Sequence, residues 1–421
     1  MRPLCVAIGL VSAMLPAIAS GATVTIVCGA LVGGFEACRE GARAWAQARG
    51  HDVRVIRSTG NSAAQRLSRD LLAAQVDDVD VLETYIDWAG ALAKNLVDLR
   101  SIPGHVEGHF PAGLEAFTID GRLVAVPWYL GVGRLFYRRD LLEKYELRVP
   151  QTWEELATSA RTVQDGERAA GHSEFWGYVF QGQAAEELTH NAVEWFASYR
   201  GPGIVDADGT VVLDDPINKT ALTQAASWLG SIAPPSVLTM GSPESLRFFT
   251  DGDAAFLRYY PSGLIRSEDR ASRVRGRVGM ADLPKGGPEG RHPLVLTGFG
   301  LAVSRYSNAP ELAKDLVAWL TGPAEEKRRA LSAGFSPSRA ALYVDPDLVA
   351  TYSWYPALRV ALDAAVPGPA HIIGAKYDRA SEVLSEAVHR ALSHREPPST
   401  ALDEAAATLR RMSAGWGDQG R

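Results

Sequence analysis

The chain has 421 residues, with 43 Lys and Arg against 49 Asp and Glu, a net charge of −6 and 46% apolar residues. A chain this long outgrows one compact core, so two domains are expected. The mild acidity, with no basic block and no basic–aromatic interleaving, gives nucleic acid no footing.

Met1 and Arg2 give a positive start, residues 4–18 are mainly apolar, and small residues follow at 19–22. This three-part form predicts that residues 1–22 are a cleaved export signal and that the working protein is periplasmic. The apolar run is short for a membrane span of about 20 residues, and no later segment is long and apolar enough for one.

Thr23 to Cys28 alternates β-branched residues and reads as a strand, followed by a turn rich in glycine (Gly29, Gly33, Gly34). Residues 35–49 carry a helical stripe through Phe35, Cys38, Ala42 and Trp45, and Gly50 is a C-cap. Residues 51–57 read as a second strand, Asn61 opens a helix to about residue 75, and 79–82 is a third strand. Strands alternating with helices point to an α/β class with a mostly parallel sheet.

Further strands are expected at 123–126 and 134–137, interrupted at 127–131. Asp140 opens a short helix. Thr152 with Glu155 fits a capping box opening a helix to about residue 164. Asp208-Gly209 lies between two apolar runs as a hairpin turn; an Asp-rich calcium loop through Asp206, Asp208 and Asp214 fails the twelve-residue pattern. A helix at 215–231, a strand at 254–259, Gly-interrupted β structure at 295–303 and a largely helical remainder from Pro310 complete the reading, with the stripe of 377–392 as a packed face.

Beyond the signal segment the cysteines are Cys28 and Cys38. Their spacing fits neither a zinc site nor a Cys-x-x-Cys centre. In an exported protein such a nearby pair closes a structural disulfide, with two free thiols as the alternative.

Reaction chemistry is sparse. The nine histidines are scattered. There is no His-Glu-x-x-His, no Gly-x-Ser-x-Gly elbow, no phosphate-cradling loop and no dinucleotide fingerprint. The expectation from these absences is no metal and no cofactor; an exported glycosidase with two distant carboxylates is the enzyme reading left open. What stands out is a set of aromatics at strand ends: Tyr85, Trp88, Trp128, Tyr129, Tyr259, Tyr260, Phe299, Trp354 and Tyr355. Ligands of open α/β sheets sit outside the carboxyl ends of the strands. Aromatic faces there can stack on the apolar face of a sugar, against the alternative that each packs the core.

Several segments, in order, resemble the solute-binding subunits of bacterial ABC importers, especially the trehalose/maltose-binding group. They include 28–30 and 38–41, 65–67 with 71–74, 78–81, 134–145 (RLFYRRDLLEKY) through 150–156 (PQTWEEL), 175–181 (FWGYVFQ), 248–256, 298–300 (GFG) and 335–339 (FSPSR). The resemblance covers essentially the whole chain after the signal. It implies a two-lobed periplasmic-binding-protein fold, each lobe a mixed, mostly parallel sheet flanked by helices, with hinge closure on a ligand in the cleft. It further implies a monomer without catalysis that delivers a sugar to a membrane permease. The lobes would be 23–127 with 264–335 and 128–263 with 336–421, crossing near Pro127-Trp128, 260–263 and 335–339.

The same resemblance implies a ligand site made of Glu36, Arg66, Tyr85, Trp88, Trp128, Tyr129, Gly131, Tyr259, Tyr260, Gly298, Phe299 and Arg339. Arg66 has a surface ion pair as its alternative role, and Arg339 a capping role on loop carbonyls. Three positions where sugar-binding relatives carry carboxylates are Gly34, Tyr85 and Gly131 here, and two cleft tryptophans become Tyr260 and Phe299. Glu36, Glu83 or Asp87 could replace the missing carboxylates. A less hydroxylated or anionic solute, or a sensory role on the same scaffold, is the competing reading.

Overall fold

The computed structural model describes residues 22–29, 33–58, 68–102 and 106–413. The signal-like residues 1–21 and the candidate Arg66 lie outside that set.

β1 (Thr23–Cys28) is buried along its length after Thr23, as a central strand covered on both faces must be. It pairs in parallel with β2 (Asp52–Arg57) and β3 (Val81–Tyr85). A small hairpin, β4 (Thr118–Ile119) with β5 (Arg122–Leu123), precedes β6 (Val126–Val132). The remaining described strands are β7 (Arg134–Arg138), β8 (Trp176–Val179), β9 (Ala254–Tyr259), β10 (Val278–Asp282) and β11 (Leu296–Val303).

They form two larger sheets, in the orders β2-β1-β3-β11-β6 and β10-β7-β9-β8. In the first, β11 runs antiparallel to both β3 and β6; in the second, β7 runs antiparallel to β10 and β9, and β8 runs parallel to β9. Each sheet has its own hydrophobic core. The fold is therefore α/β with two lobes, each a mixed sheet clad in helices.

Core membership fixes where the chain passes between lobes. It leaves the first core after Val132 and enters the second at Leu135. It returns between Leu283 and Leu294, and leaves again between Ala365 and Ala370. These positions correct the expected crossings. Residues 264–283 stay with the second lobe because β10 pairs with β7. Residues 340–365 stay with the first, since Leu342, Tyr343, Leu358 and Leu362 pack in its core. Pro261, Gly263 and the Ser-Pro-Ser run are local turn signals, and turn chemistry does not say which sheet takes the next segment. Nor does Pro127 interrupt a strand: β6 runs through it, and the register shifts opposite, between Phe299 and Gly300.

Local signals fare better. Gly50 closes the helix Gly34–Arg49 in the left-handed conformation (φ 71°). The Thr152 hydroxyl accepts from Glu155 N at 3.2 Å. The Glu155 carboxylate reaches back to Gln151 N, one residue before the cap, at 2.7 Å, and the helix runs over Trp153–Ala169. Asp206 Oδ1 accepts from the amides of Asp208 and Thr210, which makes the turn at Asp208-Gly209.

Trp153, Trp195 and Trp228 cluster in the second core, with ring centroids 5.1 and 5.7 Å apart for Trp153–Trp228 and Trp195–Trp228. Beside them, fully buried Arg258 and Glu194 pair through Nε and Oε2 at 2.8 Å. Gly133 is required here, because a Cβ on it would lie 2.1 Å from Glu194 Oε1. In the first lobe, Trp354 and Tyr355 pack with Tyr352 and Tyr343 rather than at a strand end.

Cys28 and Cys38 are joined, tying the end of β1 to the first turns of the following helix. The bond closes a short loop, for which the chain-entropy model gives about 3 kcal/mol. The paired substitution Cys28→Ser with Cys38→Ser is expected to lower stability by that order, read as a fall in the urea midpoint relative to the oxidised parent.

Candidate functional site

Residues directly opposite on neighbouring strands share a face of the sheet. Phe299 on β11 faces Tyr85 on β3 and Tyr129 on β6, so three aromatic rings lie in a row across three strands. The Tyr85–Phe299 centroids are 4.8 Å apart, and Tyr129 stacks on Phe299 at 5.0 Å and 26°. Trp88 extends the row beyond Tyr85 and Phe335 extends it beyond Tyr129. Each such pair contributes about 0.5–1.5 kcal/mol beyond its buried area. One glycine allows the arrangement: Gly298 has φ 153°, and a Cβ on it would lie 2.3 Å from the Tyr129 carbonyl oxygen. At Gly131 a Cβ would make ordinary contact, with Pro261 Cδ at 3.6 Å and Thr297 Cγ2 at 3.7 Å.

Both tyrosine hydroxyls are tied to acidic groups, one directly and one through a histidine. Tyr129 O–H donates to Glu83 Oε1 at 3.2 Å, and the other Glu83 oxygen accepts from Gly29 N. The Tyr85 hydroxyl lies 2.8 Å from Thr297 Oγ1 and 3.0 Å from His190 Nε2. His190 Nε2 is in turn 2.8 Å from Asp87 Oδ2. Burial pushes both phenols well above their ordinary range, helped at Tyr85 by Tyr260 and then by Asp87 and Glu186, and at Tyr129 by Glu83. Burial and the Asp87 charge push Glu186 up to about 7. For His190, burial favours the neutral ring, but the charge and hydrogen bond of Asp87 outweigh it and raise its pKa.

Asp87, Glu186 and His190 together offer three ligand atoms within 4.8 Å of one another, the one such group among the described residues. Their facing atoms have hydrogen-bond partners, while His190 Nδ1 has none among the described residues. Nε2 is shared by Asp87 and Tyr85, and the Glu186 oxygens accept from Tyr377 O–H and Ser381 O–H, both at 2.7 Å.

From the second lobe, Tyr259 and Tyr260 stand half-buried at the end of β9, and the Arg258 guanidinium lies 4.3 Å from the Tyr260 ring centre. A cavity of about 1190 Å³ opens elsewhere on the seam between lobes, among Arg69, Lys94, Arg122, Tyr306 and Lys376, and includes none of the aromatic row.

Of the residues expected at the site, Tyr85, Trp88, Tyr129, Gly131, Gly298 and Phe299 come together, and Tyr259 and Tyr260 stand on the other lobe. Three are placed otherwise. Trp128 alternates with Tyr129 along β6 and is wholly buried against Arg329, whose guanidinium lies 4.5 Å from its ring and donates to its carbonyl. Arg339 donates to the carbonyls of Thr321 and Glu107 at 2.7 and 2.9 Å, so it holds loops instead of presenting a charge. Glu36 is exposed and pairs with Arg39 and Arg57 on the helix surface.

Sequence reading passed over His190, Glu186, Thr297 and Phe335. His190 and Glu186 sit in an ordinary amphipathic helix, Glu186–Ser198, and carry no local motif. Glu83 and Asp87 had a signal: they flank Tyr85 at i−2 and i+2 at a strand end.

Two outcomes test this geometry. Trp128→Ala is expected to cost about 3–5 kcal/mol of stability, as a large buried truncation, visible in the urea midpoint; an unchanged midpoint would remove Trp128 from the core. Dialysis against EDTA is expected to leave Tm unchanged, and a fall would assign an ion to Asp87, Glu186 and His190.

Comparison with known proteins agrees with this architecture. The family model described as bacterial extracellular solute-binding protein matches residues 33–327. A probable ABC transporter-binding protein of Deinococcus radiodurans is 38% identical over 403 residues, covering 94% of this chain and 96% of the relative. A mannitol-binding protein of Pseudomonas aeruginosa is 25% identical over 316 residues, 72% of this chain and 70% of that one. Among solved structures, a maltose-bound T. maritima MalE3 superposes with a TM-score of 0.86 at 30% identity, covering 93% of this chain and all (100%) of that one. A ribitol complex from Agrobacterium radiobacter shares the fold with a TM-score of 0.81 at 23% identity, covering 93% and 99%.

Proposed function

Because the chain belongs to the bacterial extracellular solute-binding proteins, and is therefore the substrate-binding protein of an ABC transporter and not an enzyme, we propose that its substrate is a sugar or sugar alcohol captured between the lobes. The observation that carries this reading is the row Tyr85–Phe299–Tyr129, which runs from a carboxylate at one end to a carboxylate–histidine pair at the other. The three rings are nearly sealed in the described structure, at 6%, 3% and 8% exposure for Tyr85, Phe299 and Tyr129; with the lobes apart such a wall would offer an apolar face for the C–H side of a sugar ring, with polar groups fixed beside it for hydroxyls. Tyr259 and Tyr260 would form the facing wall, and Arg258 braces Tyr260 from behind.

Three relatives whose substrates are named support the class: maltose for the T. maritima protein, and mannitol and ribitol for others; a Sinorhizobium fredii relative, 24% identical over 348 residues, is named as a probable amino-acid binding protein and speaks for the non-sugar alternative. In this reading a disaccharide or sugar alcohol enters the open cleft, and the lobes rotate about the three crossings at 132–135, 283–294 and 365–370. The closed form is then presented by a monomer to a permease in the membrane. Export across the inner membrane, with residues 1–22 removed, belongs to the same proposal. Among the described residues no helix is long and apolar enough to cross a membrane.

The anionic-solute reading relied on Arg66 and Arg339. Arg339 gives Nε and Nη1 to two backbone carbonyls from a buried position, with Nη2 left without a partner among the described residues, which weakens that reading.

The test is a thermal-shift panel on protein refolded free of co-purified ligand, with maltose, trehalose, mannitol, ribitol, a sugar phosphate and a non-sugar osmolyte. A ligand at 100 times its Kd stabilises by about 2.7 kcal/mol. The expected outcome is a clear rise in Tm with a neutral sugar or sugar alcohol. Phe299→Leu, which keeps bulk and loses the aromatic face, should weaken that binding by up to about tenfold. A shift confined to the sugar phosphate or the non-sugar compound would overturn the reading.

A further inference from the structure

We propose that His190 is the second lobe's closing contact: it docks between Asp87 and Tyr85 of the first lobe, fixes the Tyr85 ring in the aromatic row, and so couples the order of the site to closure of the cleft. This goes beyond the ligand reading but rests on the same cleft. The groups come from separate cores. Tyr85 and the turn Ile86–Trp88 that carries Asp87 belong to the first lobe, as does Thr297; the helix Glu186–Ser198 that carries His190 packs in the second.

Side chains of both Asp87 and His190 are nearly sealed from solvent, at 2% and 5% exposure. Nε2 faces Asp87 Oδ2 at 2.8 Å and Tyr85 Oη at 3.0 Å. With Nε2–H donating there, the Tyr85 O–H is left to donate to Thr297 Oγ1. The other nitrogen, Nδ1, is buried without a hydrogen-bond partner, so the polar contacts of the ring are all on the side that faces the first lobe. Opening the lobes would strip Tyr85 of His190 and return Asp87 to water. His190 is therefore a positioning residue, acting on ligand through Tyr85.

The charged and titratable groups around His190 give the contact a direction with pH. Asp87 faces it from the turn after β3, Tyr85 from β3, Glu186 from its own helix at 3.7 Å, Tyr377 from the helix Tyr377–Leu392 through Glu186, and Arg258 acts from β9. A histidine whose pKa is raised in the closed form contributes stability that is present at low pH and lost as pH rises through that value. Glu186, pushed up to about 7, is favoured neutral in the closed form, and its ionisation also opposes closure as pH rises. Both effects open the cleft on the alkaline side.

Small-angle X-ray scattering on the ligand-free protein tests this without any sugar, so its outcome is independent of the ligand panel. The expected result is a larger radius of gyration at pH 8.5 than at pH 6 for the parent chain. His190→Gln should hold the larger value at both pH values, with Asp87→Asn behaving alike and serving as the test if His190→Gln does not fold by circular dichroism. A radius for His190→Gln at pH 6 no larger than the parent's overturns the proposal, as does a parent radius that does not change between pH 6 and pH 8.5.

Discussion

β11 is the strand on which the rest of the molecule depends. It returns from the second lobe and inserts between β3 and β6, pairing antiparallel with both. A strand in the middle of a sheet cannot be omitted without leaving two rows of unpaired backbone groups. The first lobe is therefore incomplete until the second has been traversed, and the two are tied by several crossings instead of one linker. The same insertion brings Phe299 between Tyr85 and Tyr129. Sheet completion and assembly of the aromatic row are thus one event, and the register that satisfies the backbone also sets the spacing of the rings.

Acidic groups are distributed around this row in two different ways. Glu194 is spent within the second lobe on Arg258, both fully buried. Such a pair recovers little net stability over an apolar one, but losing either partner strands a buried charge, so it works as a rigid brace behind Tyr260. Glu83 and Asp87 serve the tyrosine hydroxyls. Glu83 stays inside the first lobe, holding Tyr129 and Gly29 together. Asp87 reaches His190 on the other lobe, and through it Tyr85. One end of the row is anchored whatever the lobes do, and the other end is anchored across the cleft.

Much of this was legible in the sequence, and the rest was hidden for physical reasons. Strands such as β1 and β9, the caps at Gly50 and Thr152, and the turn at Asp206–Gly209 depend on neighbours a few residues away, which a linear reading sees. The aromatic members of the row were visible because large rings at strand ends are few. What could not be read were pairings between distant segments. Nothing local distinguishes residues 278–282 as a partner for β7 rather than for the first sheet, and so the crossings were misplaced. Trp128 and Tyr129 are adjacent aromatics of equal appeal; only the pleat of β6 sends one to the site and the other beneath Arg329. His190 shows the limit most plainly, since its role depends on Asp87 and Tyr85, more than a hundred positions away and on another lobe.

The surroundings of Arg339 explain why the first-lobe end of the row can stay fixed. Glu326 accepts from the amide of Ser338 at 2.9 Å and from its hydroxyl, which His109 also contacts. Burial pushes Glu326 up to about 7, against the pull of Arg329 at 3.9 Å. Arg339 then fastens the same segment to the carbonyls of Thr321 and Glu107. These contacts pin residues 335–339 alongside β6, where Pro337 bridges Tyr129 and Phe335 packs on the Tyr129 ring at 5.1 Å. All of them are internal to one lobe. Of the two roles the sequence offers Arg339, ligand contact or capping of loop carbonyls, its hydrogen bonds are of the second kind, and it belongs to the frame that keeps Tyr129 and Phe335 in place, while Tyr85 takes a contact from the other lobe.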